Sequence, residues 1–172
     1  RTMSEGLDPI DESRRQWVLR GWDDAADGMT LVISVMRVHQ LFLARVDRVL
    51  RPLSLTFSRY EVLALLSFTR RGSLPMNKIT QRLQVHATST TNSVDRLEAA
   101  GLAQRRPHPE DGRTTLVEIT EAGRSLVARA TAELNEHVFS QSGLEPERVR
   151  EMLSRVSELR SFLEGAAPPQ SH

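Results

Sequence analysis

Residues 77–101 read NKITQRLQVHATSTTNSVDRLEAAG, and their punctuation decides the fold. Asn77 is placed to cap a short helix over 78–83, and Gln84-Val85-His86 interrupts the helical pattern. A second helix is predicted over 87–100, stopped by Gly101 in the position where helices end in a left-handed residue. Two short helices across a tight break are the outline of a helix-turn-helix. The next residues, LAQRRPHPEDGRTTLVEIT over 102–120, change period. They predict a strand over 102–108, a turn at Pro109-Glu110-Asp111-Gly112-Arg113 and a second strand over 114–120, which adds a β-hairpin wing.

Upstream, Ser58 followed by Glu61 has capping-box spacing, with Phe57 and Val62 at the hydrophobic-staple positions of a helix running to about residue 71. Before it, Val32, Val35, Met36, His39, Phe42, Leu43, Val46, Val49 and Leu50 recur at three and four residues, a long amphipathic helix over 29–51 that Pro52 stops. At about 1.5 Å per residue it is some 34 Å long, more than a small core covers, which points to a partner. A short helix is predicted over 11–21, and 23–28 reads as a polar connector. Downstream, Thr120 caps a helix over 121–141, Ser142-Gly143 breaks it, and Pro146 opens a last amphipathic helix carrying Val149, Met152, Leu153, Val156, Leu159, Phe162 and Leu163. The fold class is therefore mainly α with a small β-hairpin wing (α+β). Its predicted parts are an N-terminal extension with a short helix (1–28), a dimerisation helix (29–56), a winged helix-turn-helix (57–124), C-terminal dimerisation helices (125–165) and a disordered tail (166–172).

Composition removes several function classes. The 172 residues contain no cysteine, so disulfides, thiolate metal sites and thiol nucleophiles are out. His39, His86, His108, His137 and His172 show no metal-ligand spacing, and no nucleophile motif or phosphate-cradling glycine loop is present. The reading is not an enzyme, with no catalytic residue, metal or cofactor. Uninterrupted apolar runs such as 62–66 fall far short of the roughly 20 residues a bilayer needs, so no membrane partner is expected. With no apolar signal core at the start, a cytoplasmic, nucleoid-associated location is expected. The net charge of +1 hides a pattern: residues 1–28 and 114–172 each carry −3, 29–71 carries +5 and 77–113 carries +2. Of the 23 basic residues only Lys78 is a lysine, and arginine suits planar, bidentate contacts to phosphates and bases. Arg37, Arg45, Arg48 and Arg51 contribute to the basic middle, where they either bind the acidic C-terminal helices of a second copy, the preferred reading, or solvate an outward face.

A helix-turn-helix presents the N-terminal half of its second helix to base edges in the major groove. Here Thr88, Ser89, Thr91 and Asn92 are the base-reading candidates, because hydroxyls bond bases or phosphates and an asparagine reads adenine. Five hydroxyls within 88–93 exceed what capping needs. Arg106 and Arg113 add to the expected DNA contacts, with Arg113 at the wing tip able to enter a narrow minor groove. Asp111 is placed to hold Arg113 through a charge-assisted bond. The alternatives are a winged-helix protein-interaction module, and a DNA binder with no ligand response.

Asp95-Arg96-Leu97-Glu98-Ala99-Ala100-Gly101-Leu102, followed by Asp111-Gly112-Arg113-Thr114-Thr115-Leu116-Val117-Glu118-Ile119-Thr120-Glu121-Ala122-Gly123, resembles the MarR family of transcriptional regulators over roughly 29–163. The resemblance implies a homodimer with interlocked first and last helices, two winged domains on a pseudopalindromic double-stranded DNA operator, and repression relieved by a small ligand. It also implies that Arg96 braces the second helix or touches a phosphate. Gly112 stands where the family often has a further arginine, and His86 where a capping serine is common. The added N-terminal segment resembles a subgroup that answers to urate or similar planar anions. Carried over, its ligand residues fall on Trp17, Glu61 and Arg105, with Ser93 in place of a further arginine. The implied effector is a small phenolic, urate-like or aromatic carboxylate molecule.

Overall fold

The computed structural model describes residues 8–165, so the tail predicted over 166–172 lies outside the described residues. The chain divides into two compact units, 1–130 and 131–172. In the first, α1 (Pro9–Leu19) is capped by the Asp8 carboxylate, which accepts from the Ile10 amide at 2.9 Å. It ends at a corner where Gly21 takes φ +77°, and Trp22 opens α2 (Asp23–Leu50). Trp17 and Trp22 meet edge-to-face at 5.3 Å between centroids, and Arg14 reaches Asp27 at 2.9 Å, tying α1 along α2.

The polar connector expected over 23–28 is instead the first turns of α2. Asp23 and Asp24 lie at the positive end of the helix macrodipole, and Ala25 and Ala26 are strong helix formers, so polarity there signals a helix start. The 28-residue helix is longer than predicted. Across 23–53 it is long and apolar enough to cross a membrane by length and composition alone, which corrects the expectation drawn from uninterrupted runs. Single polar residues such as Ser34 and Arg37 break those runs without removing the apolar face. Leu31, Val32, Val35, Met36, Val38, Leu41 and Phe42 are 47–60% exposed, an unusually large apolar surface on one helix.

A 3-10 turn (Arg51–Leu53) around Pro52 leads to α3 (Phe57–Ser67). The cap is Thr56 and not Ser58: its Oγ1 accepts from the Arg59 amide at 3.3 Å and from Arg59 Nε at 3.1 Å. The staple shifts accordingly, to Leu55 and Tyr60, both buried. α3 also ends four residues early, because the Ser67 and Thr69 hydroxyls donate to the Ala64 and Leu66 carbonyls at 2.7 Å and take over the last turn. Residues 73–75 form β1, a strand the sequence reading missed: it is three residues long and closes on Pro75. Proline is tolerated there because β1 is an edge strand.

α4 (Met76–Leu83) starts after Pro75 without a side-chain cap, so Asn77 lies inside the helix instead of capping it. The break follows at Gln84, in the left-handed region at φ +53°. α5 (Ala87–Ala99) begins at extended His86, also without a side-chain cap. A half-buried hydrogen bond from Thr80 Oγ1 to Thr90 Oγ1, 2.9 Å, joins the two helices. β2 (Ala103–Pro107) and β3 (Thr115–Ile119) form the wing, with β1 added in the order β1-β3-β2, all antiparallel. Ser73 faces Glu118 and Arg105 faces Val117. Leu50, Leu63, Leu66, Ile79, Val94, Leu97 and Val117 form the fully buried centre of this unit.

α6 (Glu121–Leu134) starts at Thr120, whose Oγ1 accepts from the Gly123 amide at 3.1 Å and donates to the Gly101 carbonyl at 2.7 Å. It becomes a π-helical turn over Asn135–Phe139, which the plain helix predicted over 121–141 did not contain. In the second unit, α7 (Pro146–Gly165) carries Met152, Leu153, Val156, Phe162 and Leu163 more than half exposed.

Candidate nucleic-acid interface

The helical period sorts the hydroxyl-rich stretch of α5 into two faces. Thr90, Ser93, Val94 and Leu97 turn inward and are buried, whereas Thr88, Ser89, Thr91, Asn92 and Arg96 are exposed. Five of the seven expected DNA contacts therefore share the outer face of one helix, whose N-terminal two turns contain no acid. Short side chains leave that face low enough to approach a groove floor. Asn92 and Arg96 also line a groove of about 330 Å³ with Ser93, Thr56 and Arg59. Arg59 and Thr56 continue into a second groove of about 460 Å³ with Asp47, Arg51, Ser54 and Leu55. The sequence reading did not single out Arg59 for this surface. Its only local signal was its place in the first turn after Thr56.

Arg106 and Arg113 lie on the wing. Arg106 is exposed on β2 and approaches Glu118 at 3.5 Å, the same carboxylate that Gln104 Nε2 reaches at 3.1 Å. Arg113 is exposed at the tip, but the expected bond from its side chain to Asp111 is not formed. Instead Asp111 Oδ1 accepts from the Arg113 main-chain N–H at 3.0 Å and Oδ2 from Thr114 Oγ1 at 2.9 Å. An aspartate two residues before an amide makes this turn with its own backbone, so it sets the shape of the tip and leaves the guanidinium projecting. These two hydrogen bonds hold the Asp111 carboxyl below the usual aspartate range. A depressed folded-state value means the turn's stabilisation is complete above the ordinary aspartate pKa and is lost only as pH falls through the lowered one. Asp111→Ala should speed hydrogen exchange of the Arg113 amide at neutral pH, and an unchanged rate would contradict this turn.

The three residues implied as ligand contacts have separate surroundings. Trp17 packs on Trp22 at the α1–α2 corner. Glu61 is not a capping residue, since Thr56 occupies the cap; it is half-buried on α3, and that burial raises its pKa. Arg105 is held by α5: its Nη1 meets Glu98 Oε1 at 2.9 Å, its main-chain N–H donates to Glu98 Oε2 at 2.8 Å, and its Nη2 pairs with Asp95. Those bonds to Arg105, the backbone one first, hold Glu98 below the usual glutamate range. The Asp95 and Glu98 carboxylates thus face a cation close to the reading helix.

Comparison with known proteins agrees with this geometry. The MarR family profile matches residues 53–114, which span α3, the helix-turn-helix and the wing tip. The crystal structure of Sco5413, a MarR family transcriptional regulator from Streptomyces coelicolor, is 42% identical, superposes with a TM-score of 0.73, and covers 83% of this chain and 99% of its own. The transcriptional repressor IacR of Pseudomonas putida is 31% identical over 106 residues, which make up 62% of this chain and 62% of the relative. Sco3205 from Streptomyces coelicolor, solved in complex with DNA, shares the fold at 23% identity and a TM-score of 0.69, over 85% of this chain and 92% of its own. These relatives are regulators and not enzymes. The mostly helical fold, the three-stranded wing sheet and the near-complete match to Sco5413 place this chain in the MarR family of transcriptional regulators.

Proposed function

We propose that the protein is a sequence-specific repressor that binds a pseudopalindromic operator as a homodimer, with α5 in the major groove and the β2–β3 wing in the minor groove. The observation that carries this reading is the division of α5, which buries Thr90 and Ser93 and turns Thr88, Ser89, Thr91, Asn92 and Arg96 outward as a reading face whose first two turns are short-chained and carry no acid. Thr88, Ser89, Thr91 and Asn92 contact base edges, Arg96 and Arg106 contact phosphates, and Arg113 enters the minor groove. The DNA complex of Sco3205, which has the same fold, supports the reading, as does the name of IacR as a repressor. A protein acting on chromosomal operators works in the cytoplasm.

Two copies are required because a single reading helix spans too few bases for a specific site, and half-sites one helical turn apart need two-fold symmetry. The apolar residues exposed on α2 are a surface for a second copy to cover, and those exposed on α7 are another. Burial of such surface drives the association, at roughly 25 cal/mol per Å² of apolar area, whereas surface arginine–carboxylate pairs each add little. Val35→Glu combined with Phe42→Glu should convert a dimer to a monomer in sedimentation velocity at micromolar concentration. A dimer unchanged by both substitutions would remove α2 from the interface, and partition into detergent micelles or lipid would favour a membrane role for the helix.

For a small anionic aromatic effector, phenolic, urate-like or carboxylate, the candidate contacts are Trp17, Glu61 and Arg105, which lie in three separate surroundings, so each is a candidate in its own right. Footprinting on the promoter region of the protein's own gene tests the operator reading. Two protected half-sites about 10 base pairs apart, centre to centre, are expected. Protection of one half-site, or none, would contradict it.

A further inference from the structure

We propose that Arg105 is a positioning residue for DNA recognition, fixing the wing against the reading helix through Asp95 and Glu98. This rests on the reading of α5 and the wing as the DNA-binding surface. Arg105 lies in the middle of β2, yet it is bound to α5 through both its main chain and its guanidinium. Asp95 and Glu98 are three residues apart, so they share one face of α5 and present two carboxylates to one planar, multi-donor cation. The Arg105 side chain is only 27% exposed, consistent with a cation enclosed by its partners. At the base of the wing the Leu102 N–H donates to the Leu97 carbonyl at 2.9 Å and Thr120 Oγ1 to the Gly101 carbonyl at 2.7 Å, and the three hydrogen bonds at Arg105 add a directional tie farther out along β2.

The angle between wing and helix matters because the wing is a lever. Arg105 faces Val117, and Arg113 lies four residues beyond that pair, some 13 Å at about 3.3 Å per residue. A rotation of about 10° at the clamp then displaces Arg113 by roughly 2 Å, a large fraction of a minor groove about 6 Å wide. The clamp has a second consequence. Asp95 and Glu98 are carboxylates on the reading helix itself, and Arg105 offsets their charge where it would otherwise repel phosphates.

The test is a coupling measurement on the full chain with the promoter duplex. In the unsubstituted background Arg113→Ala is expected to weaken binding by about tenfold. With Arg105→Leu already in place, Arg113→Ala should change affinity by less than about twofold, while Asn92→Ala keeps its full cost because α5 itself is intact. Equal costs of Arg113→Ala in the two backgrounds would overturn the proposal and leave the DNA reading standing. Failure of the unsubstituted chain to prefer the promoter duplex would overturn the DNA reading and the clamp's role with it. If Arg105→Leu does not fold, Asp95→Asn with Glu98→Gln keeps the arginine and the side-chain shapes, and the same loss of coupling is expected. A readout without DNA is also open. The chain has no cysteine, so Gly112→Cys accepts a single nitroxide at the wing tip. Loss of the clamp should sharpen its spectrum, and an unchanged line shape would overturn the proposal.

Discussion

Asn92→Ala and Arg113→Ala are expected to weaken operator binding to similar extents, each by about 1–3 kcal/mol or roughly 5- to 150-fold, and to differ in what happens to sequence preference. Asn92 is exposed on the outer face of α5, with an amide that can pair with both N6 and N7 on the major-groove edge of an adenine, so its loss relaxes discrimination at one position of each half-site. Arg113 projects from a tip whose backbone Asp111 and Thr114 already shape, and what it meets is the potential of a narrow groove. Its loss should lower affinity for operator and related sequences alike, with a shallower salt dependence. Competition binding against operators mutated one base pair at a time separates the two. Equal loss for all sequences in both variants would contradict the assignment of base reading to α5.

Gly123→Ala is expected to lower stability by about 2 kcal/mol, or some 4–8 °C in Tm for a chain of this size, measured by thermal melting. A methyl group built on Gly123 would overlap the Leu102 carbonyl oxygen and sit 2.8 Å from Ile119 Cγ1. The first of these is backbone, so no rotamer change relieves it. It is also committed, since the Leu102 carbonyl accepts from the Thr120 amide at 3.1 Å. Alanine's better helix propensity, about 1 kcal/mol, offsets part of the cost. Gly28→Ala provides the opposite sign: it lies within α2 with nothing within 4 Å of the added carbon, so the same propensity gain acts unopposed and Tm should rise. A Gly123→Ala variant as stable as the parent would mean that α6 does not start against the base of the wing as described.

These two glycines show where the sequence was and was not sufficient. The helix-turn-helix was legible because its signals are local: a polar break, a C-terminal glycine at Gly101 with φ +71°, and an alternation of buried and exposed positions in α5. The reason for glycine at 123 was not legible, because the clash arises only when α6 is laid on a carbonyl 21 positions earlier in the chain. The cap of α3 failed differently. Thr56 and Ser58 are both competent hydroxyls, and the choice was made by burial of Leu55 and Tyr60, a tertiary fact. β1 carried no alternation to read in three residues, and it exists because β3 offers a free edge. The start of α2 was hidden by reading aspartates as loop residues when their charge suits a helix N-terminus.

The site divided along the same line. The exposed positions of α5 follow from its period, so the reading face was visible in the sequence. The surroundings of Arg105 were not, because Asp95 and Glu98 lie ten and seven residues before it across a turn, and only the pairing of β2 beside α5 brings the three charges together. Asp111 illustrates the intermediate case. Its partner residue was anticipated, but the partner atom is the Arg113 amide and not its guanidinium.

The most direct test of sequence-specific DNA binding by a dimer is a fluorescence-anisotropy titration of the promoter duplex and a scrambled duplex of equal length, from 50 to 200 mM salt. If six to ten phosphates are neutralised, affinity should fall by about 10³- to 10⁵-fold across that range. At the upper end the promoter duplex should still bind at least about 10³-fold more tightly than the scrambled one. Identical affinities for the two duplexes at every salt concentration would contradict the account.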